Sequence, residues 1–253
     1  MDEFLNARIL VTGAASGIGA ATARLLAERG AERLILADLD EGRLHAAAST
    51  LGCPHDLIVG DVADEALWDQ AELTGLTHAL VNAGIGAGCP IEELSFAEWR
   101  RVMAPNLDGA FLTLKAAMRA IRATGRGGAI VLTASAAGVK AEPGIAAYGA
   151  SKAAVIHLAR IAAKEGASAK IRVNAIAPGG VETPIWADLP FFEQLVQKTG
   201  SEEAAFQALG AMATPLGRYA KPYEIAEQIA FLLSEKAAFT TGACLVSDGG
   251  YSL

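Results

Sequence analysis

Short apolar runs recur along the chain, separated by longer stretches whose apolar positions repeat at helical spacing. The runs are Arg8–Thr12, Arg33–Ala37, Leu57–Val59, Ala79–Val81, Ala129–Thr133, Ile171–Ile176 and Ala243–Val246. They are rich in Ile, Val and Leu and lack strict alternation, as expected of strands buried on both faces. The intervening stretches predict helices over Gly17–Arg29, Glu41–Leu51, Asp64–Glu72, Phe96–Thr124, Tyr148–Ala167 and Pro222–Ser234. This rhythm predicts an α/β fold: a doubly wound parallel sheet with helices on both faces. No linker or change of composition divides the chain, which reads as a single domain over residues 1–253.

One segment departs from the rhythm. Residues 182–212 show no strand and carry large apolar side chains, among them Ile185, Trp186, Leu189, Phe191, Phe192, Leu195, Phe206 and Leu209. A substrate lid is one reading of such a late insertion. An extra helix pair packed on the core is the other.

Composition narrows the function classes. The chain has 52% hydrophobic and 19% charged residues, which excludes a disordered polymer. With 21 Lys+Arg against 28 Asp+Glu the formal charge is −7, which argues against nucleic acid and anionic membrane surfaces as partners. No run approaches the ~20 apolar residues that span a bilayer, and the start lacks a secretory pattern. Cys53, Cys89 and Cys244 are odd in number and scattered, and the four His show no ligand spacing. No disulfide framework or metal site is expected, and a reducing, cytoplasmic setting is the default.

Chemistry first shows after the first run. Thr12-Gly13-Ala14-Ala15-Ser16-Gly17-Ile18-Gly19 joins a strand to a helix. Glycines there permit a tight turn and close approach to a diphosphate, whose charge meets the positive end of the helix. The second strand leads to Asp38, 19 residues beyond Gly19. A carboxylate at that place suits ribose hydroxyls and repels a 2′-phosphate; the plainer role is a strand end or a helix cap. Neither Ser16 nor Leu39 offers a cation, and Arg43 would have to fold back. The expected cofactor is NAD(H).

Tyr148 and Lys152 are four apart at the start of a helix, so their side chains are neighbours. An ammonium ~4 Å from a phenol contributes about 4 kcal/mol at an effective dielectric of 20, or some three pKa units. That predicts a Tyr148 pKa near 7, suited to acid–base work. An exposed pair with no function is the alternative.

Together, Gly13, Gly17 and Gly19, Asn82-Ala83-Gly84, Asn106, Ser135, the Tyr148–Lys152 pair and Pro178-Gly179 resemble the short-chain dehydrogenase/reductase family in order and spacing, from Arg8 to Gly250. The resemblance implies a Rossmann fold of about seven strands. It implies Tyr148 as general acid/base, Lys152 lowering its pKa and binding the nicotinamide ribose, Ser135 holding the substrate oxygen, and Asn106 holding a water that links Lys152 to solvent. Asp61-Val62 resembles the adenine contact, Asn82-Ala83-Gly84 the cofactor-lining turn, and Pro178-Gly179, Val181 and Thr183 the nicotinamide segment. Homodimers through the Ala-rich helices, and tetramers built as dimers of dimers, are common in the family.

The sequence departs from the family at Val81, where an asparagine is usual, in the short stretch between Asp61 and Asn82, and at Pro105, which bends the helix before Asn106. Ala136, Ala137, Val139, Ile145, Ile85 and the Trp186–Phe192 region suggest an apolar substrate pocket, with Lys140 the nearest cation. The reading is an oxidoreductase passing hydride between NAD(H) and a hydrophobic secondary alcohol or ketone, with bulky, aromatic and steroid-like substrates in view. Two alternatives stand beside it: a 3-oxoacyl thioester reductase and a non-catalytic NAD(H)-binding sensor.

Overall fold

The structure is a computed structural model and describes residues 3–187 and 189–253. Seven strands form one parallel sheet: β1 Arg8–Thr12, β2 Arg33–Asp38, β3 His55–Val59, β4 His78–Val81, β5 Gly128–Thr133, β6 Ile171–Pro178 and β7 Cys244–Ser247. Their spatial order is β3-β2-β1-β4-β5-β6-β7. All seven expected strands are present. β3 starts two residues earlier than Leu57, and β6 runs on to Pro178, where it pairs with Ser247.

Alternate residues of each strand feed two cores. Leu10, Ile35, Ala79, Ile130 and Val173 pack under α5 (Gly109–Thr124) and α6 (Ala146–Gly166). Ile9, Val11, Leu34, Leu80 and Val131 pack under α1 (Gly17–Glu28), α2 (Glu41–Ala48) and α9 (Pro222–Leu233). The absence of polar alternation has this cause: both faces are covered.

Asp40 caps α2 by accepting from Arg43 N at 2.9 Å. Asp64 caps α3 (Glu65–Gln70) by accepting from Ala66 N at 3.0 Å, so that helix is shorter than the expected Asp64–Glu72. Among the described residues no helix is long and apolar enough to cross a membrane, no group of side chains is arranged to hold a metal, and the three cysteines are unpaired.

The single helix expected over Phe96–Thr124 is divided. α4 (Phe96–Met103) passes into a π-helical turn, Ala104–Asp108, before α5 begins. Pro105 has no N–H to give Arg101, and the backbone widens until Gly109 N donates to Ala104 O. The expected simple bend is therefore a widened turn, and Asn106 sits within it.

The described residues of 182–212 contain helices and no strand. A 3-10 turn at Pro184–Trp186 precedes α7 (Pro190–Thr199) and α8 (Glu202–Ala213). The pair has its own small core of Phe192, Ala205, Phe206 and Tyr219, with Trp186, Leu189 and Leu195 against it. Phe192 and Phe206 stand 4.7 Å apart between ring centres.

Candidate active site

The strand order reverses between β1 and β4, the place where open α/β sheets bind ligands at their carboxyl ends. A cleft of about 1100 Å³ opens there. A second groove of about 640 Å³, beside α3 and α5, contains none of the candidate residues.

Asn82 knits the cleft floor. Its backbone N–H donates to Thr12 Oγ1 at 2.9 Å, its Nδ2 to Thr12 O at 3.1 Å, and its Oδ1 accepts from Thr133 Oγ1 at 3.1 Å. Val81 beside it is buried in the core, so one asparagine joins the three strand ends. Gly13 has φ +65°, and a Cβ on it would lie 2.8 Å from Asn82 Nδ2. A Cβ on Gly19 would lie 2.0 Å from Gly13 O. Gly19 is thus buried beneath the turn, supporting it from below, and is absent from the cleft wall. Gly13, Ser16, Gly17 and Ile18 do line the cleft. Ser16 makes no side-chain cap to α1, and among the described residues no side chain accepts from the first-turn N–H groups of that helix.

Asp38 Oδ2 accepts from Ala15 N at 2.9 Å and its Oδ1 from Asp40 N at 3.1 Å. It braces the glycine turn from within the cleft, while the helix cap is Asp40. Leu39 is an exposed part of the wall. Asp61 and Val62 also line it: Asp61 accepts from Ala63 N, and Val62 O accepts from Trp68 Nε1. A turn carrying glycines where side chains would collide, a helix opening without a side-chain cap, and an acidic residue at the end of β2 together fit a dinucleotide.

Ser135, Ala137, Ile145, Tyr148 and Lys152 meet on the other side with Ala83 and Gly84. Ser135 Oγ accepts from Ala137 N at 3.2 Å, capping a short 3-10 turn, so it both caps and faces the cleft. Lys152 is buried; its Nζ donates to Thr133 O at 3.0 Å and lies 5.7 Å from the centre of the Tyr148 ring. Burial lowers the Lys152 pKa to about 8. Burial also raises the Tyr148 phenol above its ordinary value, with the Ser135 hydroxyl acting in the opposite direction. This corrects the expectation that Lys152 alone brings the phenol near 7. Withdrawing the phenolate from water outweighs an ammonium whose hydrogen bond goes to a carbonyl.

Asn106 is buried and is not part of the cleft wall, although its neighbour Pro105 is. Its Oδ1 accepts from Ile85 N at 2.8 Å; its Nδ2 donates to Ile85 O at 3.0 Å and to Ser151 Oγ at 3.3 Å. It ties the β4 loop to α6, and a Cβ on Gly84 would fall between Asn106 Oδ1 and Lys152 Nζ, at 2.8 and 3.4 Å.

Pro178, Gly179, Val181, Thr183 and Trp186 complete the wall with Ile85 and Ala136. Val139 does not reach it, and Phe192 is buried in the α7–α8 core, which corrects the apolar pocket expected from both. Lys140 is engaged: Nζ donates to Tyr251 O at 3.1 Å, pairs with Glu142 at 3.2 Å and lies 4.3 Å from the Tyr251 ring centre. Leu189, from the expected Trp186–Phe192 region, is part of the wall, and Arg101, Tyr219 and Tyr251 join it without having been singled out from the sequence. Asp248-Gly249-Gly250 marks the turn before Tyr251, but Tyr219 carries no local signal.

Such a site on such a sheet defines a nucleotide-dependent oxidoreductase. The chain belongs to the short-chain dehydrogenase/reductase family and transfers hydride between a nicotinamide dinucleotide and an alcohol or ketone. A family profile described as Enoyl-(Acyl carrier protein) reductase matches residues 13–252. The chain is 43% identical to a cis-4-hydroxycyclohexanecarboxylate dehydrogenase of Sinomonas cyclohexanicum, over 99% of this chain and 98% of that one. It is 37% identical to a 2,5-dichloro-2,5-cyclohexadiene-1,4-diol dehydrogenase of Sphingobium indicum, over 100% and 99%. The crystal structure of a levodione reductase superposes with a TM-score of 0.87 at 33% identity, covering 98% of both chains.

Proposed function

We propose that this protein is an NAD(H)-dependent dehydrogenase of ring-containing hydrophobic secondary alcohols, acting also as a reductase of the ketones. The observation that carries the reading is the meeting of Ser135, Tyr148 and Lys152 in one cleft with the glycine turn and Asp38. Asp38 supports NAD(H) over NADP(H): its carboxylate repels a 2′-phosphate, and Arg43 is turned to Asp40 at 3.2 Å. The relatives named above act on six-membered rings bearing oxygen, which supports the substrate class.

Gly13, Ser16, Gly17 and Ile18 hold the diphosphate, Asp38 the ribose hydroxyls, Asp61 and Val62 the adenine, and Asn82, Ala83 and Gly84 the adjoining backbone. Pro178, Gly179, Val181 and Thr183 hold the carboxamide. The bound dinucleotide supplies the hydride acceptor for the carbinol C–H. Ser135 donates a hydrogen bond to the substrate oxygen and stabilises negative charge on it. Tyr148 takes the O–H proton during oxidation and returns it in reduction. Lys152 holds the nicotinamide ribose and favours the phenolate, and Asn106 fixes the loop that faces Lys152 and holds the water through which it reaches solvent. Ala137, Ile145 and Trp186 form the apolar wall.

The whole chain acts as one domain, with residues 182–212 as a lid whose Trp186 and Leu189 face the cleft. Exposed Phe111 on α5 and Ile161 on α6 support a homo-oligomer; a dimer of dimers and a cytoplasmic setting are taken over from the family resemblance and the scattered cysteines.

A 3-oxoacyl thioester reductase is disfavoured by Asp38 and by the engagement of Lys140. A non-catalytic sensor is disfavoured by the intact Ser135–Tyr148–Lys152 set. The test is turnover of cyclohexanol and 4-hydroxycyclohexanecarboxylate with NAD⁺ and NADP⁺, followed by reduced-nicotinamide absorbance. Turnover with NAD⁺ is expected; turnover of acyl thioesters alone, with NADPH, would overturn the reading.

A further inference from the structure

Tyr219 lies in the connection between α8 and α9 and is 7% exposed. Its ring stacks on Trp186 with centroids 5.3 Å apart and planes at 29°. Trp186 is itself fixed, its indole N–H donating to Val181 O at 2.8 Å. The Tyr219 ring also rests on Gly180, where a Cβ would come within 2.2 Å of Cε1. Ala220 N donates to Gly180 O at 2.9 Å, locking the backbone beneath. The ring is therefore held between Trp186 and a glycine that leaves room for it.

Its hydroxyl is not used by the fold. Among the described residues no group bonds it, and it is not one of the polar atoms sealed from solvent. The residue forms part of the cleft wall. Burial raises its pKa, so it is a neutral hydroxyl, able to donate and accept. Tyr251, on the same wall, differs: its hydroxyl bonds Glu142 and its ring lies under Lys140.

We propose that the Tyr219 hydroxyl binds a second oxygen of the substrate, remote from the carbinol carbon, and so selects rings that carry two oxygen functions. The proposal rests on the dehydrogenase reading above. A substrate that lacks the second oxygen leaves this hydroxyl without a partner in a mostly apolar wall, which penalises it.

The test compares cyclohexane-1,4-diol with 4-methylcyclohexanol, which matches it in size but lacks the second oxygen. Both are oxidised with NAD⁺ by the wild type and by Tyr219→Phe, which keeps the ring stack. The expected result is a fall of about tenfold in kcat/KM for the diol, carried by KM, with the methyl compound unchanged or improved as the unpartnered hydroxyl is removed. The thermal midpoint stays at the wild-type value. Equal changes for both substrates, or no change for either, would overturn the proposal. A large drop in thermal midpoint would assign the hydroxyl to the fold and overturn it too. A wild type that oxidises neither compound would overturn the dehydrogenase reading, and this inference with it.

Discussion

The Lys152 ammonium donates to the main-chain oxygen of Thr133 at 3.0 Å while standing 5.7 Å from the ring centre of Tyr148. The cation one turn away from the phenol is anchored to the end of β5. Its burial has a cost. The pKa of about 8 lies below the 10.5 of an unfolded lysine, so the unfolded chain binds more protons between those values. Stability therefore rises with pH from about 8 to 10.5, and below 8 the folded state carries the full penalty, of order 3 kcal/mol. Lys152→Met is expected to raise unfolding free energy at neutral pH by about 1–3 kcal/mol while turnover falls at least ~100-fold. Denaturant melts and turnover on the same preparation check this; a variant less stable than wild type would contradict it.

His78 gives a second, acidic dependence at the opposite end of the sheet. Burial, with Arg172 and Arg126 nearby, lowers its pKa from 6.5 to about 4. Thr77 Oγ1 lies 2.8 Å from its Nδ1, and the Phe4 ring meets it edge-on at 5.9 Å. The unfolded chain again binds more protons, so stability falls as pH drops from 6.5 towards 4, by up to about 3 kcal/mol. His78→Leu should flatten that part of the stability curve, measured as denaturant midpoint against pH.

Cofactor choice rests on the Asp38 charge. Asp38→Asn keeps one acceptor oxygen, enough for Ala15 N or Asp40 N but not both, and removes the repulsion of a 2′-phosphate. The kcat/KM ratio of NAD⁺ to NADP⁺ should fall by at least ~10-fold, a loss of over ~1 kcal/mol of discrimination. An unchanged ratio would place the selectivity elsewhere.

The π turn at Ala104–Asp108 holds Asn106 against Ile85. Pro105→Ala restores an N–H for the carbonyl of Arg101 and favours a regular helix, which shifts Asn106 away from the loop. Lower kcat and faster amide exchange at Ile85 are expected. Unchanged activity and exchange would remove Pro105 from the account.

The strand runs were legible because a sheet covered on both sides needs unbroken apolar segments, and the Gly13–Gly19 turn because sterics demand glycine there. Ser135, Tyr148 and Lys152 were legible by spacing, and the structure brings them to one cleft. The pKa of Tyr148 was not, because desolvation depends on everything packed over the phenol, which two residues on a helix do not reveal. Tyr219 was invisible for a related reason: its partners, Trp186 and Gly180, are distant in sequence. The α7–α8 pair left two readings open because large apolar residues serve a lid and a small core alike, and Trp186 takes part in both the cleft wall and the aromatic cluster.

The central claim is that Tyr148 moves the substrate proton. The most direct measurement is oxidation of cyclohexanol with NAD⁺ by the wild type and Tyr148→Phe across alkaline pH, with NADH binding measured alongside. The account predicts a wild-type rate that rises with pH as the phenol loses its proton, and a variant that binds NADH normally but turns over ~100- to 10,000-fold more slowly with no such rise. A variant within about tenfold of wild type, showing the same pH profile, would contradict it.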